Sequence, residues 1–136
     1  MSKVQGGCLC GRVRYSSDAQ PVMVVNCYCE NCRQVTGSTH SANLGMPAGS
    51  VTVTGDTVAT HVDRTGASGL PFKRHFCSKC GTHFRSEGPA YEGIEMIKLG
   101  TLDNPEGFAP AAHIWVEQKL SWVAIPEGAP QFPRNP

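Results

Sequence analysis

The sequence predicts a mostly β domain of small antiparallel sheets, stapled by zinc and carrying one short helix. Three observations carry that prediction. Period-2 stretches rich in Val, Thr and aromatic residues recur between clusters of turn formers. The 15 glycines and 10 prolines interrupt the 136 residues too often for long helices. Seven cysteines fall in short paired spacings, as metal chelation needs, and their odd number would leave one over from any set of disulfides.

In chain order, strands are expected over residues 8–16, 23–29, 41–45, 51–54, 58–63, 74–77, 83–86, 94–99, 112–116 and 120–125. Only residues 30–35 read as a helix, and Thr36-Gly37 would end it. Residues 66–71 and 104–110 read as loops. A chain of 136 residues makes a single domain. Its core spans about residues 4–126. The tail, 126–136, holds four prolines and should drape over the surface or fray.

Charge and hydropathy exclude several classes. The net charge is +1, and the longest basic cluster is Lys73-Arg74-His75, too little for a phosphate-backbone footprint, so no nucleic acid is expected. No apolar run approaches the ~18 residues that span a bilayer, so no membrane is expected either. The first residues, Met1-Ser2-Lys3-Val4-Gln5-Gly6-Gly7, lack the apolar stretch of a secretory leader. The expected location is the cytoplasm, where thiols stay reduced.

The cysteines form three groups. In Cys77-Ser78-Lys79-Cys80-Gly81, two thiolates can curl toward one ion at a hairpin tip, and Gly81 can take the positive φ of the turn. The competing reading, a redox dithiol, requires a helix after the motif, and no helical pattern follows. In Gly6-Gly7-Cys8-Leu9-Cys10-Gly11, Cys8 and Cys10 would share a strand face, with the glycines leaving room for sulfur and metal. In Cys27-Tyr28-Cys29-Glu30-Asn31-Cys32-Arg33, Cys27 and Cys29 would share a strand face. Cys32 would lie in the first turn of the helix, where free N–H groups stabilise a thiolate.

Seven ligands divide naturally into four plus three. A closed structural zinc takes four ligands, and a catalytic one keeps a position open. Spacing leaves another partition open, because His40, His61, His75, His83 or His113 is available to complete the second site. A three-thiolate zinc is net negative and suits a soft ligand such as a substrate thiol. A fourth thiolate makes it more negative and asks for a cation nearby. Arg33, directly after Cys32, is the candidate for that role.

These motifs resemble the glutathione-dependent formaldehyde-activating family, which includes the centromere-protein-V-like domains. The matching stretches are 7–11, 27–37 and 76–82, with His113-Ile114-Trp115 and Trp122 after them. The resemblance runs from about Val4 to Pro133. It implies a fold of small antiparallel sheets sometimes called a β-tent. It implies two zincs per chain, a structural one on Cys8, Cys10, Cys77 and Cys80 and a catalytic one on Cys27, Cys29 and Cys32. The implied activity joins glutathione to formaldehyde, giving S-(hydroxymethyl)glutathione, and in reverse is that of a carbon–sulfur lyase. The partners would be a small-molecule thiol and an aldehyde. Arg64, Lys73, Arg74 and Lys98 are available to an anionic tripeptide, and His113 to a proton transfer. The rival reading is a non-catalytic, zinc-stabilised binding module or thiol carrier.

Overall fold

The computed structural model describes residues 3–136, so Met1 and Ser2, the start of the segment read for a leader, lie outside the described residues. The described residues form two sheets. The first joins β1 (Val4–Gly7), β2 (Arg14–Ser17) and β5 (Thr52–Thr54) in antiparallel order β1-β2-β5. The second holds β3 (Met23–Cys27), β4 (Ser41–Pro47), β6 (Val58–Asp63), β7 (Phe72–Cys77), β8 (His83–Glu87), β9 (Ile94–Lys98) and β10 (Ala112–Ile114). Its order is β10-β3-β4-β9-β8-β7-β6. The expected mostly β fold is what forms, with one parallel pair. β10 runs parallel to β3 and sets Ile114 opposite Cys27. No hairpin can join parallel neighbours, and here most of the domain lies between them in sequence.

The sheets pack on each other through an apolar core. Val4, Val13 and Tyr15 meet Leu44, Met46, Phe84 and Ile97, all at most 3% exposed. The rings of Tyr15 and Phe84 stack with centroids 6.1 Å apart. A smaller apolar cluster of Val25, Cys27 and Ile114 lies against Cys29, Cys32, Trp115 and Phe132.

The helix α1 (Glu30–Thr36) starts where the sequence places it and runs one residue further. Gly37 ends it at φ 65°, donating its N–H to Arg33 O. No helix among the described residues is long and apolar enough to cross a membrane.

Three expected strands differ. Residues 8–16 are not one strand. β1 stops at Gly7, β2 begins at Arg14, and a turn between them is closed by Cys8 N–H on Val13 O and Gly11 N–H on Cys8 O. β3 ends at Cys27, so Cys29 lies beyond the strand. Residues 120–125 alternate in sequence but form a turn, with Val123 N–H on Leu120 O. Alternation makes a strand only where a neighbour completes the ladder. The Lys119 ammonium instead bonds the carbonyls of Leu120 and Val123.

The tail is tied down along the end of β10. His113 N–H bonds Pro130 O, Phe132 N–H bonds His113 O, and Trp115 N–H bonds Arg134 O. Arg134 also stacks over the Trp115 ring and pairs with Glu117.

Candidate metal centres and the cavity beside them

Folding divides the seven cysteines into four and three. Cys8, Cys10, Cys77 and Cys80 form one group and Cys27, Cys29 and Cys32 the other, each with its sulfur atoms within 4.8 Å of one another. No histidine joins either group, and all seven thiols are free. A tetrahedral zinc with ~2.3 Å bonds to sulfur sets its ligands ~3.8 Å apart. Cys8 and Cys10 are separated by 3.6 Å, and Cys10 and Cys77 by 3.8 Å. The donor chemistry and the spacing both fit a metal ion, and both clusters are consistent with zinc.

The four-cysteine site joins two turns. Cys8 and Cys10 come from the β1–β2 turn, Cys77 ends β7, and Cys80 lies in the turn before β8. That second turn is the expected knuckle. Gly81 has φ 80° and donates to Cys77 O, while Cys77 N–H bonds Thr82 O. The β1–β2 turn exposes Leu9, at 88%. The nearby glycines serve another purpose than making room for sulfur. A Cβ at Gly6 would collide with Thr101 O and the Tyr15 ring, and one at Gly7 with Val13 O.

Three of the four sulfurs in this site, those of Cys8, Cys77 and Cys80, have a neighbouring N–H or hydroxyl partner. Val13 N–H reaches Cys8 Sγ at 3.3 Å. The Thr57 and Thr82 hydroxyls lie 3.2 Å and 3.3 Å from Cys77 and Cys80. The Thr82 hydroxyl and backbone N–H groups hold the Cys80 thiol down to about 5, which favours the thiolate that a metal needs.

The three-cysteine site straddles the end of β3 and the start of α1. Cys27 is buried on the strand, Cys29 is the residue before the helix, and Cys32 lies in its first turn. Cys29 does what a Ser or Asp commonly does at that position: its Sγ accepts the Cys32 N–H at 3.3 Å. Hydrogen bonds from Cys27 and Cys32 take the Cys29 thiol down to about 3, while hydrogen bonds with Cys29 and Cys32, then burial, push Cys27 up.

The three thiols line a cavity of about 340 Å³. That is within the ~300–1,000 Å³ of small-molecule sites. Its floor is one face of the seven-stranded sheet, with Asn43, Lys98, Met96, Ser86, Arg74 and Asp63. Its walls are residues 65–68, Leu70 and Pro71 on one side and Tyr91, Ile114, Trp115, Gln118 and Asn135 on the other. Asp63 accepts from the Thr65 backbone and hydroxyl, and Asn31 Nδ2 donates to Thr65 Oγ1, tying that loop to α1. Trp115 Nε1 donates to Asn135 Oδ1 at 2.8 Å, which fixes the far wall to the tail.

Two buried cations belong to this cavity. Arg74, 7% exposed, pairs with Asp63 at 3.1 Å, lies over the Phe72 ring and keeps its Nε without a partner. The Thr65 hydrogen bonds and Arg74 hold the Asp63 carboxyl down at about 2. Lys98, 8% exposed, donates to Ser41 Oγ at 2.7 Å and Asn43 Oδ1 at 2.9 Å. Burial pushes its ammonium pKa down against the pull of the three cysteines.

Other candidates stand apart from the cavity. Arg33 follows Cys32 on the helix but does not line it, and its Nε is buried without a partner. Arg64, Lys73 and His113 do not line it either. The His113 ring is 2.8 Å from the Tyr28 hydroxyl, away from the thiols. Sequence reasoning missed Asp63, Tyr91, Gln118 and Asn135, which carry no spacing signal and reach the cavity only through tertiary packing.

The comparisons agree with this arrangement. The profile described as "Glutathione-dependent formaldehyde-activating enzyme" matches residues 3–118. A protein of Halomonas elongata that bears the same family name is 29% identical over 127 residues, covering 90% of this chain and 80% of that one. A Rhodobacter sphaeroides protein of known crystal structure shares the fold, with a TM-score of 0.56 at 14% identity over 94% of this chain and 98% of that one. A profile match across most of the chain, over a fold that gathers the seven cysteines into two metal-competent groups, makes this protein a member of the glutathione-dependent formaldehyde-activating enzyme family.

Proposed function

We propose that this protein joins a thiol of the glutathione type to formaldehyde or a similar small aldehyde, with one structural and one catalytic zinc. One observation carries the reading: the three-cysteine group opens into a cavity of substrate size, while the four-cysteine group does not line it. The reaction forms one C–S bond, turns the carbonyl into a hydroxyl by moving the thiol proton to oxygen, and needs no oxidant. Reversed, it is a carbon–sulfur lyase reaction.

Cys27, Cys29 and Cys32 would hold the catalytic ion, and Cys8, Cys10, Cys77 and Cys80 the structural one. A bound zinc at the first set would acidify a thiol brought to its open position. The chain's own contribution is placement and charge. Arg74, a buried cation that lines the cavity, suits a carboxylate of an anionic thiol. Phe72, Met96 and Ile114 give that cavity apolar walls, which strengthen each polar contact inside it. Holding both reactants there supplies the proximity that a bimolecular addition in water lacks. Free thiols on this scale fit a reducing compartment, the cytoplasm.

The test follows exchange between free glutathione and its formaldehyde adduct by NMR, with zinc-loaded protein against a blank. The expected result is exchange above the spontaneous rate, lost in Cys29→Ser while the fold and the structural zinc remain. Exchange no faster than the blank, in protein carrying two zincs, would reject the enzyme reading in favour of the binding module.

A further inference from the structure

The seven-stranded sheet buries an ammonium group without an acidic partner. Lys98 is 8% exposed, and its two hydrogen-bond acceptors, Ser41 Oγ and Asn43 Oδ1, are neutral. The Ser41 hydroxyl donates to Asn43 Oδ1 at 3.0 Å, so Asn43 Oδ1 accepts from both Lys98 and Ser41. No carboxylate lies within ion-pair distance of Lys98 among the described residues, and the nearby Asp63 is taken by Arg74. A buried charge is retained only where something offsets its desolvation.

The register says what lies across from it. β4 runs between β3 and β9, with Ser41 opposite Cys27 and Asn43 opposite Lys98. Residues directly opposite on neighbouring strands share a face. Lys98 Nζ, by reaching back to Ser41 Oγ at 2.7 Å, lies against the residue directly opposite Cys27. Lys98, Cys27, Cys29 and Cys32 line the same cavity. An ammonium has three N–H groups. Two are placed on Ser41 and Asn43, and the third is left for the cavity.

We propose that Lys98 is the built-in counter-charge of the three-cysteine site, a positioning residue that offsets the site's negative charge and thereby sets its affinity for metal. It fills the role that sequence adjacency assigned to Arg33. The inference rests on the metal reading of Cys27, Cys29 and Cys32, and it holds whether or not the substrate is glutathione. The four-cysteine site does not line the cavity that Lys98 lines, and its sulfurs take Val13 N–H and the Thr57 and Thr82 hydroxyls as partners. Removing the Lys98 charge should therefore weaken one site and spare the other within a single molecule.

The experiment uses the full chain, reduced and stripped of metal, titrated with zinc against a chelating dye. Native mass spectrometry counts the ions, and thiol alkylation mapped by peptide shows which cysteines each ion protects. Lys98→Gln keeps donors for Ser41 and Asn43 and removes the charge. The expected result is zinc binding ~10–100-fold weaker at Cys27/Cys29/Cys32, with the other site unchanged and Lys98→Arg restoring most of the loss. Unchanged affinity at the three-cysteine site of a folded Lys98→Gln protein overturns the proposal. So does equal weakening of both sites in Lys98→Gln and Lys98→Arg alike, which would make Lys98 a folding residue. The readout is metal affinity, so a protein that shows the site difference but no glutathione–aldehyde exchange would refute the enzyme reading alone.

Discussion

His83 shows how one residue can register the electrostatics of the whole sheet. Its Nε2 is buried without a hydrogen-bond partner. Burial, followed by the charges of Lys98 and Arg74, holds the ring down to about 3. The folded protein keeps His83 neutral at a pH where an unfolded chain protonates it, near 6.5. Below that pH the unfolded state binds more protons, so stability falls as pH drops from about 6.5 toward 3. The slope approaches about 1.4 kcal/mol per pH unit. Urea unfolding of zinc-loaded protein at a series of pH values should show His83→Gln losing less stability than the parent across that window. Metal release contributes to both proteins and cancels in the comparison. Parallel pH profiles for the two proteins would show that His83 stays accessible to protons when folded.

At the scale of elements, the C-terminal tail matters most to the cavity. The tail holds the cavity wall through Asn135, whose Oδ1 accepts from Trp115 Nε1 at 2.8 Å and from the Tyr91 hydroxyl at 3.4 Å. Trp115 has φ 56°, a left-handed conformation that a non-glycine residue holds only when its surroundings impose it. Here the tail imposes it from one side, with Arg134 over the ring and Arg134 O on the Trp115 N–H. Asn135→Ala should cost about 1 kcal/mol of stability or less, since the bonds it removes are partly exposed. It should raise KM for the thiol several-fold, because the wall loses its anchor. Steady-state kinetics beside urea melts would separate the two effects, and an unchanged KM would mean that the wall stands without the tail.

For the whole molecule, the four-cysteine site is a staple between sheets. Cys8 and Cys10 follow a strand of the three-stranded sheet, and Cys77 and Cys80 border strands of the seven-stranded one. The core shared by the sheets is modest, and metal binding to such a site contributes directly to folding free energy. Cys77→Ser should therefore unfold the domain or lower its Tm by more than 10 °C, on the order of 2 kcal/mol or more at this size. Cys29→Ser should leave the Tm within a few degrees, since the cysteines of that site come from adjoining stretches of chain. Thermal melts with zinc counted per chain would check both. Equal loss of stability in the two variants would erase the division between a structural and a catalytic centre.

Much of this was legible in the residues themselves. The β class, the helix at α1 with its Gly37 stop, the knuckle turn at Gly81 and the grouping of the cysteines all rest on local chemistry: alternation, left-handed glycines and thiol spacing. Local chemistry misled where a partner was needed. Residues 120–125 alternate but find no neighbouring strand, and Cys8 and Cys10 meet across a turn rather than on a strand face. The cations near the site show the same limit. Arg33 is next to Cys32 in sequence but does not line the cavity, whereas Lys98 lines it beside the thiols because β9 and β3 flank β4 in space. The sequence by itself determined which atoms could bind metal, because ligand chemistry resides in residue type and short spacing. Only the tertiary structure decided which cluster faces a cavity and which cation and tail residue complete it, because those contacts join positions far apart along the chain and are set by strand order and register.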